Sequence, residues 1–291
     1  MRFAPAKLLL AVLLAMLSAQ GARAGEIRRD LVAPSPILGH GIPYTIYLPD
    51  GYEVGATHYP VLFLLHGTGG GENDWPDGGG LVGTLERLTD DGTIPPMLVV
   101  SPGLGDSWYV DSPDPGGYGK VESAFLDDLV PYIDRTWRTE ARRDARAVAG
   151  LSMGGWGAVR FAILRPDLFV AAGSLSGALI TDDWAATPAW AEWFGHAFGT
   201  PFDFDRFHAA SPFTLIPQLA AEDPRPLLFL TCGDHDSLDL KEGNLLFHLA
   251  LEHAGIPSEL RITDGAHSWD VWARELDPVL RFVAGAFQAA S

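Results

Sequence analysis

The sequence holds one cysteine, Cys232, among its 291 residues. A disulfide needs two, so no internal bridge can staple the fold, and the small disulfide-dense secreted scaffolds are excluded. Stability has to come from packing, with Cys232 expected as a buried, inert thiol. Basic charge is scarce as well: 20 Lys and Arg stand against 37 Asp and Glu, a formal charge of −17. Such a surface repels phosphate backbones and speaks against a nucleic-acid partner. Long apolar runs are missing too. The run from Leu8 to Leu17 is ten residues long, whereas a membrane-crossing helix needs about 20. No repeat of fixed period, Ser/Thr/Pro tract or charge block divides the chain, which gives no support to a second module.

That short run has another use. Arg2 and Lys7 precede it and the small-residue site Ala22-Arg23-Ala24 follows, which is the layout of a secretory signal peptide over residues 1–24. The expectation is an exported protein, secreted or periplasmic, with no membrane span. Loss of Arg2, Lys7 and Arg23 would make the remainder more acidic still. Residues 25–291, in a chain with 47% hydrophobic residues, suffice for one large α/β domain with a substantial core.

Continuous apolar runs bounded by turn residues recur at Val61 to Leu65, Met97 to Val100, Ala145 to Ala149, Val170 to Leu175 and Leu227 to Cys232. They read as strands buried on both faces. Between them lie stretches of helical period, such as Val121, Phe125, Leu129, Ile133 and Trp137, where Pro131 is expected to introduce a kink. Tyr44 to Leu48 alternates more openly and predicts an antiparallel pair at the start of the sheet. Lys241 to Ala254 reads as a helix, Ser258 to Thr263 as a last strand and Val271 to Phe287 as a last helix. The alternation implies a mostly parallel sheet flanked by helices.

Gly150-Leu151-Ser152-Met153-Gly154 lies directly after one predicted strand and directly before a helical pattern. In a chain with 33 glycines the bare Gly-x-Ser-x-Gly pattern means little. Between strand and helix it is the nucleophile-elbow motif in its required context, where the turn is so sharp that its flanking residues must be small. A serine hydroxyl needs a base to take its proton and an acid to orient that base. In this topology both follow the serine, on loops after strands. His267 follows the last predicted strand across Asp264-Gly265-Ala266 and is the candidate base, with His235 a weaker rival. His196 and His208 fall in an aromatic-rich insertion, and His248 and His253 within a helical pattern. The acid comes from Gly233-Asp234-His235-Asp236, at the sheet edge where ligands bind in open α/β folds. Asp236 is the choice and Asp234 the alternative, whose other role would be to bond amides within the same turn.

A tetrahedral intermediate needs amide donors for its oxyanion. The Met153 amide follows the serine, and the loop His66-Gly67-Thr68-Gly69-Gly70-Gly71 offers the Thr68 amide as the second, with His66 expected only to form the turn. That glycine run lacks the Lys-Ser or Lys-Thr of a phosphate loop, and no third ligand stands at metal spacing beside Asp234 and His235. Neither a metal nor another cofactor is expected. Trp75, Trp108 and Tyr109 follow strands on loops at the edge where the serine should open, and are candidates for substrate contact. Between Ala178 and Pro226 stand Trp184, Trp190, Trp193, Phe194, Phe198, Phe202, Phe204 and Phe207, which suit either a pocket wall or a satellite core.

Tyr59 to Gly67, Glu72-Asn73-Asp74-Trp75, Gly150 to Gly155, Cys232 to Asp236 and Gly265-Ala266-His267-Ser268-Trp269-Asp270-Val271-Trp272 together resemble the esterase D family, from about Pro43 to Phe287. The resemblance implies the α/β-hydrolase fold. It implies Ser152, Asp236 and His267 as triad, favouring Asp236 over Asp234, with the Thr68 and Met153 amides as oxyanion donors. Trp269, two residues after His267, is a further candidate for substrate contact. Thr68 departs from the aliphatic residue that relatives often carry there. The expected substrate is a small-molecule or carbohydrate-linked ester, acyl or feruloyl. The alternatives are acyl transfer of the mycolyltransferase kind, and a non-catalytic binding protein on the same fold.

Overall fold

The computed structural model describes residues 25–289; the expected signal peptide, residues 1–24, lies outside them. Eight strands form one sheet: β1 Glu26–Ala33, β2 Ile42–Leu48, β3 Val61–Leu65, β4 Leu98–Pro102, β5 Arg146–Leu151, β6 Ala171–Leu175, β7 Leu227–Gly233 and β8 Glu259–Thr263. Their spatial order is β1-β2-β4-β3-β5-β6-β7-β8. β2 runs antiparallel to both β1 and β4, and every pairing from β4 to β8 is parallel.

The apolar runs form strands because both faces of the sheet are covered. Val61, Phe63 and Leu65 of β3 point into one core with Trp156, Val159 and Phe161 of the helix Met153–Leu164. Leu62 and Leu64 point into the other, with Leu81, Leu85 and Leu88 of the helix Leu81–Asp90 and Leu276, Val279, Leu280 and Val283 of the last helix, Trp269–Ala289. Each such side chain, fully buried, contributes roughly 1.5–3 kcal/mol relative to exposure. Among the described residues, no helix is long and apolar enough to cross a membrane.

One strand lies outside the sequence pattern, and the kink expected at Pro131 takes a particular form. β1 carries Glu26, Arg28, Arg29 and Asp30 on a half-exposed edge, with a register irregularity between Arg28 and Leu31. Edge strands tolerate charge and bulges, and this polarity hides them from a hydrophobic pattern. Around Pro131 the helical stretch opens into a π-helical turn over Ala124–Leu129. Proline has no N–H to donate and its ring displaces the carbonyl four residues back, and a wide turn accommodates both.

The order of β3, β4 and β5 makes a switch point: the chain leaves β3 to one side for β4, then returns to the other for β5. Ligands in open α/β sheets bind at the carboxyl ends of the strands at such a point. The loop after β3 and the turn after β5 meet there. A Cβ on Gly154 would lie 2.6 Å from the His66 carbonyl oxygen and 2.7 Å from that of Leu65, and backbone atoms cannot yield as a side chain can. Gly154→Ala is therefore expected to destabilise by about 1–3 kcal/mol, or roughly 2–10 °C in Tm. Gly285→Ala, on the exposed face of the last helix with nothing within 4 Å of a new Cβ, should raise stability by about 0.5–1 kcal/mol. Thermal melts of the two variants check the pair.

Candidate active site

Ser152 occupies the turn between β5 and its helix with φ 53° and ψ −120°, a region that costs a non-glycine residue on the order of 1–3 kcal/mol. The turn is held by the Ser152 amide donating to the Leu175 carbonyl at 2.9 Å, and by the Ala178 amide donating to the Ser152 carbonyl at 3.0 Å. The turn lifts the hydroxyl above the sheet edge. His267 Nε2 lies 3.1 Å from Ser152 Oγ, and His267 Nδ1 lies 2.7 Å from Asp236 Oδ2. Three side chains from the ends of β5, β7 and β8 thus form one hydrogen-bonded chain.

The loops carrying Asp236 and His267 are tied together. The Asp234 amide donates to Thr263 O at 2.8 Å, the His235 amide to Gly265 O at 2.9 Å, and the Gly265 amide to Asp234 Oδ1 at 3.0 Å. Asp234 therefore braces the turn, and Asp236 is the carboxylate that meets the imidazole. His235, the rival base, is exposed, with Nε2 3.8 Å from Asp234. Asp264 joins Asp234 and His235 to bring three ligand atoms within 4.8 Å of one another. Sequence spacing missed this third group because it comes from the next loop, and the bond to Gly265 accounts for Asp234 there.

The Asp236 side chain is fully buried. Burial pushes its pKa up, but the hydrogen bond and charge of His267 with the Leu238 and Leu240 amides outweigh that, and the carboxyl sits below its ordinary value. Beside it, Cys232 Sγ stands 3.7 Å from Asp236 Oδ2. Burial first, and the Asp236 charge second, push this thiol up to about 12, so it stays protonated and unreactive.

The cavity above Ser152 measures about 510 Å³ and is lined by Gly67, Thr68, Asp74, Trp193, His267, Trp269 and Trp272 among others. Met153 is the first residue of its helix, so its amide has no intrahelical carbonyl to bond. No group among the described residues accepts from the Thr68 amide. The two expected oxyanion donors are thus uncommitted, and Ser152 and His267 open into the same space.

Of the aromatic side chains expected at this cavity, Trp269 lines it and three do not. Trp75 is fully buried and its Nε1 donates to the Leu65 carbonyl at 3.0 Å. Trp108 is buried between Trp156 and Phe194, at ring distances of 6.0 and 4.7 Å. Tyr109 is fully buried and its hydroxyl donates to the His66 carbonyl at 2.9 Å. Loop position put them near the opening, but each ring turns inward, because indole and phenol can bury their bodies and still satisfy their polar tips. The insertion meets one of the two expectations and departs from the other: Trp193, 46% exposed, faces the cavity, but Phe194, Phe198 and Phe207 join the main core instead of forming a satellite, with Phe202 packed against it and Phe194–Phe207 centroids 4.8 Å apart. Trp272 was not singled out in advance. It stands edge-on to His267 at 4.9 Å, five residues beyond it on the first turn of the last helix.

A serine on a strand-to-helix turn of a mostly parallel sheet, with a carboxylate and a histidine from the loops after later strands, defines the α/β-hydrolase class. The chain belongs to the Putative esterase family, which it matches over residues 35–283. It is 30% identical over 240 residues to an endo-1,4-beta-xylanase/feruloyl esterase of Xylanibacter ruminicola, covering 80% of this chain and 28% of that protein. It is 29% identical to esterase Rv1288 of Mycobacterium tuberculosis, covering 84% of this chain and 56% of the relative. The chain thus spans about a quarter to a half of the length of these relatives. A solved ferulic acid esterase superposes with a TM-score of 0.77 at 28% identity, over 91% of this chain and 99% of the other.

Two outcomes distinguish the carboxylates. Asp236→Asn should lower kcat by about 10⁴-fold, whereas Asp234→Asn should cost stability through the Gly265 bond and leave kcat within a few-fold. A depressed carboxyl pKa contributes stability that is present above the ordinary aspartate value of about 3.9 and lost as pH falls through the folded value. Asp236 therefore stays ionised to below its ordinary range, so a single protonation should switch the pair off and log kcat/KM should fall on acidification with a slope of one. Steady-state rates against pH check this, and a slope of two would place both protons on the pair.

Proposed function

We propose that the protein hydrolyses carboxylic esters in two steps through an acyl-enzyme on Ser152. His267 takes the hydroxyl proton as Oγ attacks the ester carbonyl and returns it to the leaving alcohol. Asp236 holds the imidazole with its proton on Nδ1 and stabilises the imidazolium. The Met153 and Thr68 amides receive the oxyanion, each worth roughly 3–4 kcal/mol in the transition state. Water, activated by the same histidine, then releases the acid. The observation that carries this reading is the unbroken chain from Asp236 Oδ2 through both ring nitrogens of His267 to Ser152 Oγ, at 2.7 and 3.1 Å.

For the substrate, we propose an acyl or feruloyl ester linked to carbohydrate. The exposed face of Trp193 together with Trp269 in one cavity supports it, since flat aromatic walls suit aryl groups and sugar rings. Relatives named feruloyl esterase support it too. The site is open to solvent at Thr68 and Trp193, which favours water over a sugar hydroxyl as acyl acceptor. Export, as the first residues suggest, would bring such a site to extracellular esters.

The test is a p-nitrophenyl ester series, acetate to octanoate, with methyl ferulate, on the wild type and Ser152→Ala. The wild type should turn over and the variant should lose at least ~10³-fold in kcat. Inertness of the wild type on every ester, or an undiminished variant, would overturn the reading in favour of a binding protein. Adding a sugar acceptor should leave free acid as the main product; ester products exceeding it would mark a transferase. Trp193→Ala should raise KM for methyl ferulate roughly 3–10-fold and leave p-nitrophenyl acetate nearly unchanged.

A further inference from the structure

His66 was expected to do no more than form a turn, yet its ring is buried with both nitrogens within hydrogen-bond distance of backbone. It is 1% exposed. Nδ1 lies 2.7 Å from the carbonyl oxygen of Gly67, the next residue, and Nε2 lies 3.1 Å from the Leu104 amide, which belongs to the loop after β4. An amide can only donate, so Nε2 must accept. In a neutral imidazole the proton then sits on Nδ1 and is donated to Gly67 O. Burial pushes the pKa of this ring below its ordinary value, despite the opposing Gly67 carbonyl and the nearby carboxylates of Asp74, Asp106 and Glu72. The ring is therefore neutral, in one tautomer, with both nitrogens used.

The Gly67 carbonyl belongs to the same peptide group as the Thr68 amide. In a trans peptide the C=O and N–H point in opposite directions within one plane. Gly67 O accepts from two sides, from His66 Nδ1 and from the Gly70 amide at 3.1 Å. Two donors fix the carbonyl direction and, with it, that of the Thr68 N–H. Gly67 is pressed against the nucleophile, as a Cβ there would lie 3.3 Å from Ser152 Cβ and 2.5 Å from Leu151 Cδ1. The loop after β4 supports the arrangement twice, through the Leu104 amide on His66 and through Asp106 Oδ1, which accepts from the Gly69 amide at 2.6 Å.

We infer that His66 is a positioning residue for the oxyanion site: its imidazole clamps the Gly67–Thr68 peptide so that the Thr68 N–H points at the carbonyl oxygen of a substrate on Ser152. The clamp acts through geometry and through polarisation. A donor on the carbonyl draws charge toward oxygen and strengthens the N–H at the other end of the same peptide. It is needed because the loop consists largely of glycine, from Gly67 to Gly71 around Thr68, and would otherwise sample many orientations of that amide. Preorganised donors stabilise a transition state because they need not reorient as charge develops.

This inference rests on the esterase reading, and its test separates the two. His66→Ala should lower kcat about 10²-fold with KM within threefold. His66→Asn, whose amide can replace the Nδ1 donor, should regain at least tenfold of that loss. Affinity for a phenylboronic acid, which forms a tetrahedral anion on the serine, should fall in step with kcat. Long-range proton–nitrogen correlation on the wild type should show His66 as the neutral Nδ1–H tautomer, a result that does not depend on any variant folding. The clamp is overturned if folded His66→Ala keeps kcat within threefold, if the loss falls on KM alone, if folded His66→Asn regains nothing, or if the ring carries its proton on Nε2. Failure of the esterase reading has a different signature: the wild type and Ser152→Ala would be equally inert on esters, and the tautomer would still decide the clamp.

Discussion

Two stretches of backbone, the turn after β5 and the loop after β3, approach within van der Waals contact around Ser152, and the site depends on that steric constraint. Gly150 and Gly154 flank the serine because a Cβ on either would meet backbone, of Gly154 in one case and of Leu65 and His66 in the other. The absence of side chains lets the turn after β5 tighten until Ser152 takes a positive φ, and lets the loop after β3 lie directly against it. The sheet order places these two loops side by side at the switch point, so Ser152 and Gly67 come together from distant parts of the chain. Strain at Ser152, on the order of 1–3 kcal/mol, is small against the two cores that hold β5 in the middle of the sheet.

The central fold and the three side chains that meet at Ser152 were legible in the sequence for one reason: they sit where local pattern and chain order carry the information. β3 to β7 are continuous apolar runs because parallel strands are covered on both faces. Ser152 is marked by the small residues its turn requires, and His267 by its place between the last strand and the last helix. Asp236 was preferred to Asp234 in the sequence and the family resemblance strengthened that preference, but both stand on one turn, and their distinction lies in which carboxylate reaches the imidazole across to the next loop. β1 was illegible because an edge strand can carry Glu26, Arg28, Arg29 and Asp30 without cost to a core.

Side-chain direction was the part that pattern could not supply. Trp75, Trp108 and Tyr109 lie on loops at the sheet edge, yet their rings are buried and their polar tips bond to the carbonyls of Leu65, Trp193 and His66. They act as struts for the loops that form the cavity. Trp108 is the clearest case, as its indole donates to the backbone carbonyl of Trp193, a residue that lines the cavity above Ser152. His66 follows the same logic with an imidazole. A polar aromatic group can satisfy two backbone partners inside a core, and sequence alone does not distinguish that use from exposure on a turn.

The central claim is a covalent intermediate on Ser152, and the most direct measurement is mass spectrometry of the protein quenched in acid within milliseconds of mixing with a p-nitrophenyl ester. The account predicts a burst of p-nitrophenol and an acyl group on the peptide that contains Ser152, absent in Ser152→Ala. Turnover with no adduct on that serine, or an adduct on another residue, would contradict it.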